Sequence, residues 1–356
     1  MRKILLTGGT GFIGSHTCIE LLKSGFEIVI LDSFFNSSKV VEERLRSLFF
    51  YETNLLNINL SVFKGDIRDK DFVHNIFLNA INIGKPIDAV IHFAGLKSVR
   101  ESFMLENQYF DVNVNGSYSL LENMKKFNCK KIVFSSSASV YDSSLNCFFS
   151  EDNQIKPMSP YAKTKESVER ILFDFYREED GPKWEIINLR YFNPAGSHPS
   201  GLIGEEPKGI PNNLFPYITQ VASGRRKFLE IFGNDWPTKD GTGVRDYIHI
   251  MDLANAHHRA LNYLFEDHNT YLNINIGSGT ETSVMELIEI FEKENNCSIP
   301  YKIKPRRKGD VAKLIADNSR AKRILNWQPY FSINDICRHG WNWLIKNPKG
   351  YENINN

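Results

Sequence analysis

Near its N-terminus the chain reads Ile4-Leu5-Leu6-Thr7-Gly8-Gly9-Thr10-Gly11-Phe12-Ile13-Gly14. The apolar residues that come first predict a buried strand, and the apolar residues that follow the motif have the spacing of one helix face. Glycines at a strand-to-helix turn let the backbone approach a pyrophosphate, which the free N–H groups of a helix N-terminus can bind. A tight structural turn is the alternative for such a G-x-x-G-x-x-G spacing alone. In this context we predict a dinucleotide site formed by Gly8, Gly11, Phe12, Ile13 and Gly14.

Similar apolar runs recur along the chain, with helical stretches between most of them. They predict strands over residues 4–7, 28–32, 61–66, 89–94, 131–135 and 184–190. A later run, 271–276, is strand-like and is expected to rejoin the same sheet. Near-continuous apolar strands that alternate with helices are typical of a parallel sheet covered on both faces. We therefore predict an α/β fold, a Rossmann-type doubly wound parallel sheet with a smaller C-terminal substrate-binding region.

The character of the sequence changes in the second half, where residues 194–212 are rich in Pro and Gly and predict a long loop. We predict a dinucleotide-binding domain over residues 1–190, rejoined by parts of 243–277. The substrate-binding region is predicted over residues 191–356. The Asn-rich residues 352–356 are predicted to be disordered.

Composition narrows the kinds of partner. The 356-residue chain has a formal net charge of +1, which argues against nucleic acid or a membrane surface as partner. Its five cysteines are odd in number and form no C-x-x-C pair, which favours a reducing cytoplasm over a disulfide framework or a zinc site. No apolar stretch approaches the roughly 20 residues that a membrane span needs. We therefore expect a cytoplasmic protein with a small-molecule ligand and without a bound metal.

Asp32 ends the second predicted strand, 18 residues after Gly14. A carboxylate there can accept hydrogen bonds from the adenosine ribose hydroxyls and would repel a 2′-phosphate, so NAD is favoured over NADP. A surface Asp at a turn is the alternative. Ligands of α/β sheets bind outside the carboxyl ends of the strands. Residues after the third and fourth strands are therefore predicted to approach the cofactor, namely Asp66, Ile67, Phe93, Ala94 and Gly95.

Tyr161 and Lys165 are four residues apart and would share one face of a helix. A free phenol has a pKa of about 10, and a neighbouring ammonium together with a positive nicotinamide would lower it. Such a Tyr can take the proton of a substrate hydroxyl while a hydride leaves the carbon that bears this hydroxyl. By itself this spacing also occurs on solvated helix faces. Here it follows the Ser135-Ser136-Ser137 run, expected just after the fifth strand, and the Ser137 hydroxyl could hydrogen-bond the reacting oxygen.

On these motifs the chain resembles the extended short-chain dehydrogenase/reductase family. The resemblance runs nearly end to end and is strongest to members that invert C4 of UDP-hexoses. The stretches that carry it are residues 7–15, 92–97, 159–161, 190–194, 209–214, 233–237, 240–249 and 305–310. It implies interconversion of UDP-galactose and UDP-glucose through a 4-keto sugar, with tightly bound NAD. It also implies a homodimer that pairs helices near 100–127 and 161–178.

The resemblance implies roles for individual residues. Tyr161 would be the proton acceptor and donor, Lys165 its modulator and a ligand of the nicotinamide ribose, and Ser137 a hydroxyl that shares the substrate O4. Further cofactor-binding residues would be Asn36, Ser37, Lys97, Asn113, Ser135, Tyr191 and Phe192. The UDP-sugar would also contact Lys97, Asn193, Asn213, Leu214, Arg245, Tyr247, Arg307, Asp310 and Leu314. Arginines suit a diphosphate because they bind it bidentately, although a surface ion pair is their more usual role.

Related chemistries are alternatives that the sequence leaves open. The family has a small residue at the position of Leu314 where N-acetylhexosamines are accepted and Tyr where they are not, so Leu leaves UDP-N-acetylglucosamine undecided. A UDP-glucuronate epimerase or decarboxylase would have a pocket Arg for the C6 carboxylate of its substrate, and the sequence alone does not locate such a residue. A sugar-nucleotide 4,6-dehydratase typically has Asp-Glu where this chain has Ala138-Ser139. A non-enzymatic NAD-binding redox sensor would not need Ser137, Tyr161 and Lys165 together.

Overall fold

The computed structural model describes residues 1–143, 147–178, 183–209, 211, 213–307 and 310–351; the tail 352–356, predicted to be disordered, lies outside them. In chain order the strands are β1 (Lys3–Thr7), β2 (Glu27–Asp32), β3 (Leu60–Lys64), β4 (Ala89–His92), β5 (Lys131–Ser137), β6 (Phe148–Phe149), β7 (Glu185–Tyr191), β8 (Asn193–Ala195), β9 (Leu229–Phe232), β10 (Val244–Arg245), β11 (Tyr247–His249), β12 (Tyr271–Ile276), β13 (Thr282–Ser283), β14 (Tyr301–Lys304) and β15 (Lys313–Ala316). The α-helices are α1 (Phe12–Lys23), α2 (Val40–Thr53), α3 (Lys70–Asn82), α4 (Val99–Ser102), α5 (Glu106–Phe110), α6 (Gly116–Lys126), α7 (Pro160–Tyr176), α8 (Leu214–Ala222), α9 (Ile250–Leu264), α10 (Val284–Asn295), α11 (Ser319–Leu325) and α12 (Ile333–Lys346). A π-helical turn covers Asp111–Asn115 and a 3-10 turn covers Ala138–Val140. Each helix of the described residues is too short or too polar to cross a membrane.

Within the described residues, seven strands form one sheet in the order β12-β7-β5-β4-β1-β2-β3. The ladders from β5 to β3 are parallel. β12 runs parallel to β7. Backbone hydrogen bonds join Ile186 N to Thr270 O and Phe192 N to Ile276 O, so the residue numbers rise in the same direction along both strands. The predicted doubly wound sheet is confirmed, including the return of residues 271–276 to it.

The order of the strands reverses at β1, since β2 and β3 lie on one side of it and β4 and β5 on the other. The carboxyl ends of these strands meet in hydrogen bonds from Gly8 N to Leu31 O at 2.8 Å and from Phe93 N to Thr7 O at 2.9 Å. Doubly wound sheets bind ligands in the crevice at such a reversal. The glycine turn, the end of β2 and the end of β4 therefore adjoin where a dinucleotide would be held.

The core of the sheet explains why its inner strands are largely apolar on both faces. Leu5, Val90 and Phe134 from the strands pack in one core with Leu120 of α6 and Leu172 of α7. All five side chains are at most 2% exposed. Because helices cover both faces, alternate residues of a strand are both buried, and the polar alternation of a one-sided sheet is lost.

The chain forms two compact units. The first comprises Met1–Val140, Pro157–Arg190 and Ala254–Ile274, and the second comprises Tyr141–Lys156, Tyr191–Leu253 and Asn275–Asn356 as far as it is described. The second unit contains a four-stranded sheet in the order β13-β10-β15-β6 and the pairs β11-β8 and β14-β9. Phe215, Leu287 and Phe291 pack in its core. The division of functions between residues 1–190 and 191–356 stays a prediction.

The fifth strand is longer than predicted. β5 continues to Ser137, so Ser136 and Ser137 belong to the strand instead of following its predicted end at Ser135. Ser135 and Ser136 are buried, at 4% and 0% exposure. Buried hydroxyls are tolerated in a sheet when they are hydrogen-bonded, and Ser136 Oγ donates to Glu169 Oε1 at 2.5 Å.

Candidate active site

The glycine turn has the geometry of a close backbone cradle. A Cβ on Gly14 would lie 2.5 Å from Gly8 O, and a Cβ on Gly8 would lie 2.8 Å from Ala94 N. Gly8 also has a φ of +70°, which favours glycine. α1 begins directly after Gly11, which offers no side-chain cap to its first N–H groups. Small residues and an uncapped helix N-terminus are what a pyrophosphate needs, so these residues fit a dinucleotide.

Asp32 is held at the end of β2 and is 8% exposed. Its carboxylate accepts hydrogen bonds from Thr10 N at 3.0 Å, from Phe34 N at 2.9 Å and from Ser37 Oγ at 3.0 Å. The structure thus brings together the predicted Asp32 and Ser37 with the glycine turn, whereas Asn36 is exposed beside them. A carboxylate oxygen can accept two hydrogen bonds, so acceptor capacity is left for ribose hydroxyls.

Asp66 and Ile67 follow β3 and have different surroundings. Asp66 forms an ion pair with Arg68 at 2.6 Å, and the hydrogen bonds from Arg68 hold the pKa of the Asp66 carboxyl below its usual range. Ile67 is buried in the core, at 4% exposure, and lies against Gly116 of α6. Their contact with adenine stays a prediction.

Asn113 lies in the π-helical turn, a distortion that is often found at functional sites. Its Oδ1 accepts from Leu96 N at 2.7 Å, and its Nδ2 donates to Leu96 O at 3.0 Å and to Thr164 Oγ1 at 3.0 Å. The side chain therefore ties the loop that carries Gly95 and Lys97 to α7. Its predicted contact with the cofactor is not tested by this geometry.

Tyr161 lies in the first turn of α7, whose start is fixed by a hydrogen bond from Ala162 N to Ser159 Oγ at 3.1 Å. Lys165 is one turn further on and donates from Nζ to Ser135 O at 2.8 Å. Its Nζ lies 5.8 Å from the centroid of the Tyr161 ring. The structure confirms that the predicted Tyr and Lys share a helix face and that both meet the end of β5.

The orientation of the Ser137 hydroxyl is set by hydrogen bonds from Ser139. Its Oγ accepts hydrogen bonds from Ser139 N at 3.2 Å and from Ser139 Oγ at 3.0 Å. With its lone pairs used in this way, the Ser137 hydroxyl can direct its proton to the Tyr161 phenol, whose pKa it lowers. The predicted set of Ser, Tyr and Lys is therefore assembled in this structure.

The ionisation of these groups differs from the sequence expectation. Burial raises the pKa of Tyr161 to about 12, and the Ser137 hydrogen bond lowers it only in part. Burial lowers the pKa of Lys165 to about 8, against which the Glu169 carboxylate raises it. The expected lowering of the Tyr161 pKa is thus not produced by the protein groups, because removal of the phenolate from water outweighs them.

The second unit carries the predicted nucleotide-sugar residues. Arg245 Nη1 donates to Val244 O at 2.8 Å and to Val311 O at 3.0 Å. Across the β10–β15 ladder Arg245 is paired with Leu314, and across β8–β11 Asn193 is paired with Tyr247. The ladders therefore make neighbours of residues that were predicted separately. Asn213 and Leu214 start α8 as its N-cap and first residue.

Arg307 and Asp310, both predicted to bind substrate, form an ion pair with each other at 3.0 Å. The Arg307 guanidinium also lies over the Phe232 ring, 4.5 Å from its centroid. This arrangement is the surface ion pair considered above as the alternative role. An exposed pair of this kind is weak and can exchange for a ligand phosphate.

Tyr191 is the last residue of β7 and Phe192 follows it; they are 8% and 7% exposed. Three further polar residues near the predicted set were not found from sequence, namely Asp246, Glu169 and Arg190. Asp246 stands between the predicted Arg245 and Tyr247 and is fully buried. For Glu169, its spacing of eight residues from Tyr161 on one helix was the available signal.

The fold and these side chains define a class of protein. A Rossmann-type sheet with a glycine turn, an Asp at the end of β2 and a Ser-Tyr-Lys set on β5 and α7 is the architecture of extended short-chain dehydrogenases/reductases. The family model for GDP-mannose 4,6 dehydratase matches residues 5–340.

Known proteins similar to this chain place it more narrowly. It is 48% identical to UDP-glucose 4-epimerase 2 of Oryza sativa subsp. japonica over 355 residues, 99% of this chain and 84% of that protein. The structure of UDP-glucose 4-epimerase from Stenotrophomonas maltophila, with bound NAD and formylated UDP-arabinopyranose, has a TM-score of 0.91 and 43% identity and covers 98% of this chain and 99% of its own. That of the Bifidobacterium longum enzyme, in complex with NAD+ and UDP, has a TM-score of 0.89 and 42% identity and covers 98% and 100%. The chain belongs to the UDP-glucose 4-epimerase family.

Proposed function

We propose that the protein interconverts UDP-galactose and UDP-glucose by inverting C4 of the hexose, through a 4-keto sugar and with tightly bound NAD. The observation that carries this function is the Ser137, Tyr161 and Lys165 set on β5 and α7, in a chain with 48% identity to a UDP-glucose 4-epimerase. When bound, NAD accepts the hydrogen of C4 and returns it. The glycine turn would hold its pyrophosphate, and Asp32 with Ser37 its adenosine ribose.

The proton at the sugar O4 is moved by this chain's own residues. Tyr161 would take it at its phenol oxygen and later give it back. Ser137 would hydrogen-bond O4 and orient the phenol, and the Lys165 ammonium would stabilise the phenolate. Lys165 would also bind the nicotinamide ribose.

The hexose has to present first one face of C4 and then the other to the nicotinamide, which requires firm binding of UDP and loose binding of the sugar. We assign the diphosphate to Arg245 and Arg307 and the uridine ribose to Asp310. Arg245 suits this role because carbonyl oxygens already fix one of its Nη atoms. The other contacts to the UDP-sugar are proposed to be Lys97, Asn193, Asn213, Leu214, Tyr247 and Leu314.

Further residues are proposed to line the cofactor: Phe12, Ile13, Asn36, Asp66, Ile67, Phe93, Ala94, Gly95, Lys97, Asn113, Ser135, Tyr191 and Phe192. By this assignment residues 1–190, with parts of 243–277, bind NAD, and residues 191–356 bind the UDP-sugar. Support comes from the order of the sheet, which puts several of these residues at the carboxyl ends of its strands.

We also propose that two copies pair through the helices near 100–127 and 161–178, that the protein is cytoplasmic and that it serves galactose metabolism. Large apolar side chains are exposed on these helices and the turn after α4, with Phe103 at 62%, Met104 at 71% and Phe173 at 42%. Exposed apolar patches of this kind often mark protein interfaces. Fractionation of cells followed by detection of the protein tests its location.

The function is tested with purified protein and UDP-galactose, without added NAD. We expect UDP-glucose to form, identified by chromatography, and the Tyr161→Phe variant to serve as the matched control. A parallel incubation with UDP-N-acetylgalactosamine measures what Leu314 admits, and one with UDP-glucuronate tests the alternative that depends on a pocket Arg. Failure of the wild-type protein to convert UDP-galactose would reject the proposed function.

A further inference from the structure

The end of β5 meets α7 in a regular series of contacts. Ser135 O accepts the hydrogen bond of Lys165 Nζ at 2.8 Å, and the Ser137 hydroxyl lowers the pKa of the Tyr161 phenol. Residues four apart on a helix lie on one face. The next residue of that face is Glu169, and it meets the serine between these two. The catalytic side chains thus belong to a longer row whose last member has no role in the reaction described so far.

Glu169, Arg190 and Ser136 form a buried group that we call the Glu169 cluster. Arg190 donates from Nε to Glu169 Oε1 at 2.9 Å and from Nη2 to Oε2 at 2.6 Å, and Ser136 Oγ donates to Oε1 at 2.5 Å. The three residues are 5%, 3% and 0% exposed, in the order Glu169, Arg190, Ser136. The cluster joins α7, β7 and β5 in the interior of the first unit.

Stability alone does not explain such a cluster. Moving two charges out of water is expensive, and well-packed apolar residues in place of a buried ion pair are often as stable or more so. The pair lies one helical turn beyond Lys165, whose side chain is itself only 6% exposed. A charged group next to a buried catalytic cation has an electrostatic effect that an apolar substitute would lack.

The groups around Lys165 show which charge it depends on. Tyr161 and Glu169 face it from α7, His92 faces it from β4, and Arg190 lies behind Glu169 on β7. Burial and the nearby Lys165 charge lower the pKa of His92 to about 3, so this imidazole is neutral at physiological pH. Burial also lowers the pKa of Lys165, and the Glu169 carboxylate opposes that shift.

We propose that Glu169, held by Arg190 and Ser136, is a positioning residue for epimerisation that keeps Lys165 charged and holds α7 in register with the end of β5. Glu169 acts through Lys165, since its own oxygens are bound by Arg190 and Ser136. The role rests on the proposed function, because it is through Lys165 that Glu169 favours the phenolate of Tyr161.

The first test measures turnover against pH in the full-length protein with its bound cofactor. In Glu169→Gln we expect the alkaline limb to move about one pH unit lower, so that kcat for UDP-galactose at pH 8 falls about fivefold. KM should change little, because the residues assigned to UDP are untouched. Glu169→Asp keeps the charge and should restore part of the rate.

The control is Glu166→Gln, the same substitution three residues earlier on the same helix. Glu166 pairs with Arg170, whose side chain is 78% exposed. We expect its pH profile to match that of the wild-type protein.

A second readout does not depend on turnover. NMR titration of protein with 13C-labelled lysine, in which the Lys165 signal is identified by its absence from Lys165→Arg, reports the ionisation of Lys165. In Glu169→Gln the ammonium should lose its proton at lower pH than in the wild-type protein, because the carboxylate that raises the pKa of Lys165 is gone.

Loss of Glu169 alone removes the carboxylate that offsets the buried charge of Arg190 and can prevent folding. The double variant Glu169→Leu/Arg190→Met removes both charges and keeps the volume, so it carries the test in that case. An unshifted pH profile together with an unshifted Lys165 titration, in either folded variant, overturns the proposal. A wild-type protein without epimerase activity would reject the proposed function instead, and the Lys165 titration would still decide the role of Glu169.

Discussion

Tyr161 begins from an unfavourable position for a base. With a pKa of about 12, a phenol would be ionised in only about one molecule in 10⁵ at pH 7. The Ser137 hydroxyl on β5 lowers the pKa of the phenol in part, and Lys165 Nζ on α7 lies 5.8 Å from the centroid of its ring. At the scale of single residues, the chemistry therefore depends on holding positive charge beside a buried phenol.

Removal of the phenol oxygen tests this assignment. In Tyr161→Phe we expect kcat to fall by about 10²- to 10⁴-fold, the range for loss of a general acid–base. The ring keeps its packing, so the melting temperature and the amount of NAD released on denaturation should stay near those of the wild-type protein. A variant that turns over UDP-galactose at the normal rate would show that another group is the base.

Lys165 gives the reaction an alkaline limit. Its pKa of about 8 means that the ammonium is present below this pH and is lost above it, so kcat should decline as the pH rises through about 8. Lys165→Arg carries a permanent charge and should remove that decline, at a lower maximal rate. The measurement is kcat from pH 6 to 10 in both proteins, and an identical decline in the Arg variant would assign the limb to another group.

At the scale of elements, the turn between β1 and α1 tolerates no extra atom at Gly14. An added Cβ would lie 2.5 Å from Gly8 O and 2.7 Å from Gly9 Cα, and backbone atoms of a tight turn cannot move aside. We expect Gly14→Ala to purify with little or no NAD. Gly25→Ala is the matched control, since no described atom lies within 4 Å of its added Cβ. It should keep NAD while losing about 1–2 kcal/mol of stability to its positive φ.

Asp246 holds three segments of the second unit together. Its carboxylate accepts from Ser278 N and Oγ, both at 2.7 Å, from Gly279 N at 2.9 Å and from Ala316 N at 3.1 Å. An Asn at this position would turn an amide N–H towards donors, at about 1–3 kcal/mol of stability. Since its neighbours Arg245 and Tyr247 are assigned to the UDP-sugar, we expect Asp246→Asn to weaken UDP binding as measured by calorimetry.

The control for this variant is Asp152→Asn in the same unit, where the carboxylate is 83% exposed and pairs with Arg320. Its UDP affinity should equal that of the wild-type protein. If Asp246→Asn lowers the melting temperature and leaves UDP affinity unchanged, the hydrogen bonds of Asp246 have a structural role only.

Local signals explain what could be predicted from the sequence. The strands are continuous apolar runs, and the glycine turn and the Tyr161–Lys165 pair lie within single elements, so short windows contain the whole pattern. For the same reason, the Ser137, Tyr161 and Lys165 part of the site could be predicted from the sequence. The end of β5 was placed too early because buried hydroxyls resemble a loop in composition.

Contacts between distant residues explain what was missed. The Asn113 amide reaches a residue 17 positions earlier and one 51 positions later. The Glu169–Arg190 pair joins α7 to β7. The high pKa of Tyr161 depends on burial, which no motif contains. A single sequence predicts elements and their internal spacing, and it gives little information on which side chains meet across them.

At the scale of the whole molecule, dimerisation should be measurable by light scattering after size exclusion. We expect a dimer for the wild-type protein and a monomer for Phe103→Glu/Met104→Glu, because charge on the exposed apolar surface would oppose its burial. The matched control is Leu55→Glu/Leu56→Glu, a pair at 58% and 84% exposure outside the proposed interface. A wild-type monomer at micromolar concentration would contradict the proposal.

The place of β12 has a consequence for biosynthesis. This strand closes one edge of the seven-stranded sheet beside β7, although 79 residues separate the end of β7 from its start. A nascent polypeptide that has emerged from the ribosome only as far as β7 has an open sheet edge, which is a template for pairing with other chains. Translation must therefore proceed past residue 276 before that edge is covered, and truncated products that stop earlier should be substrates for chaperones or aggregate.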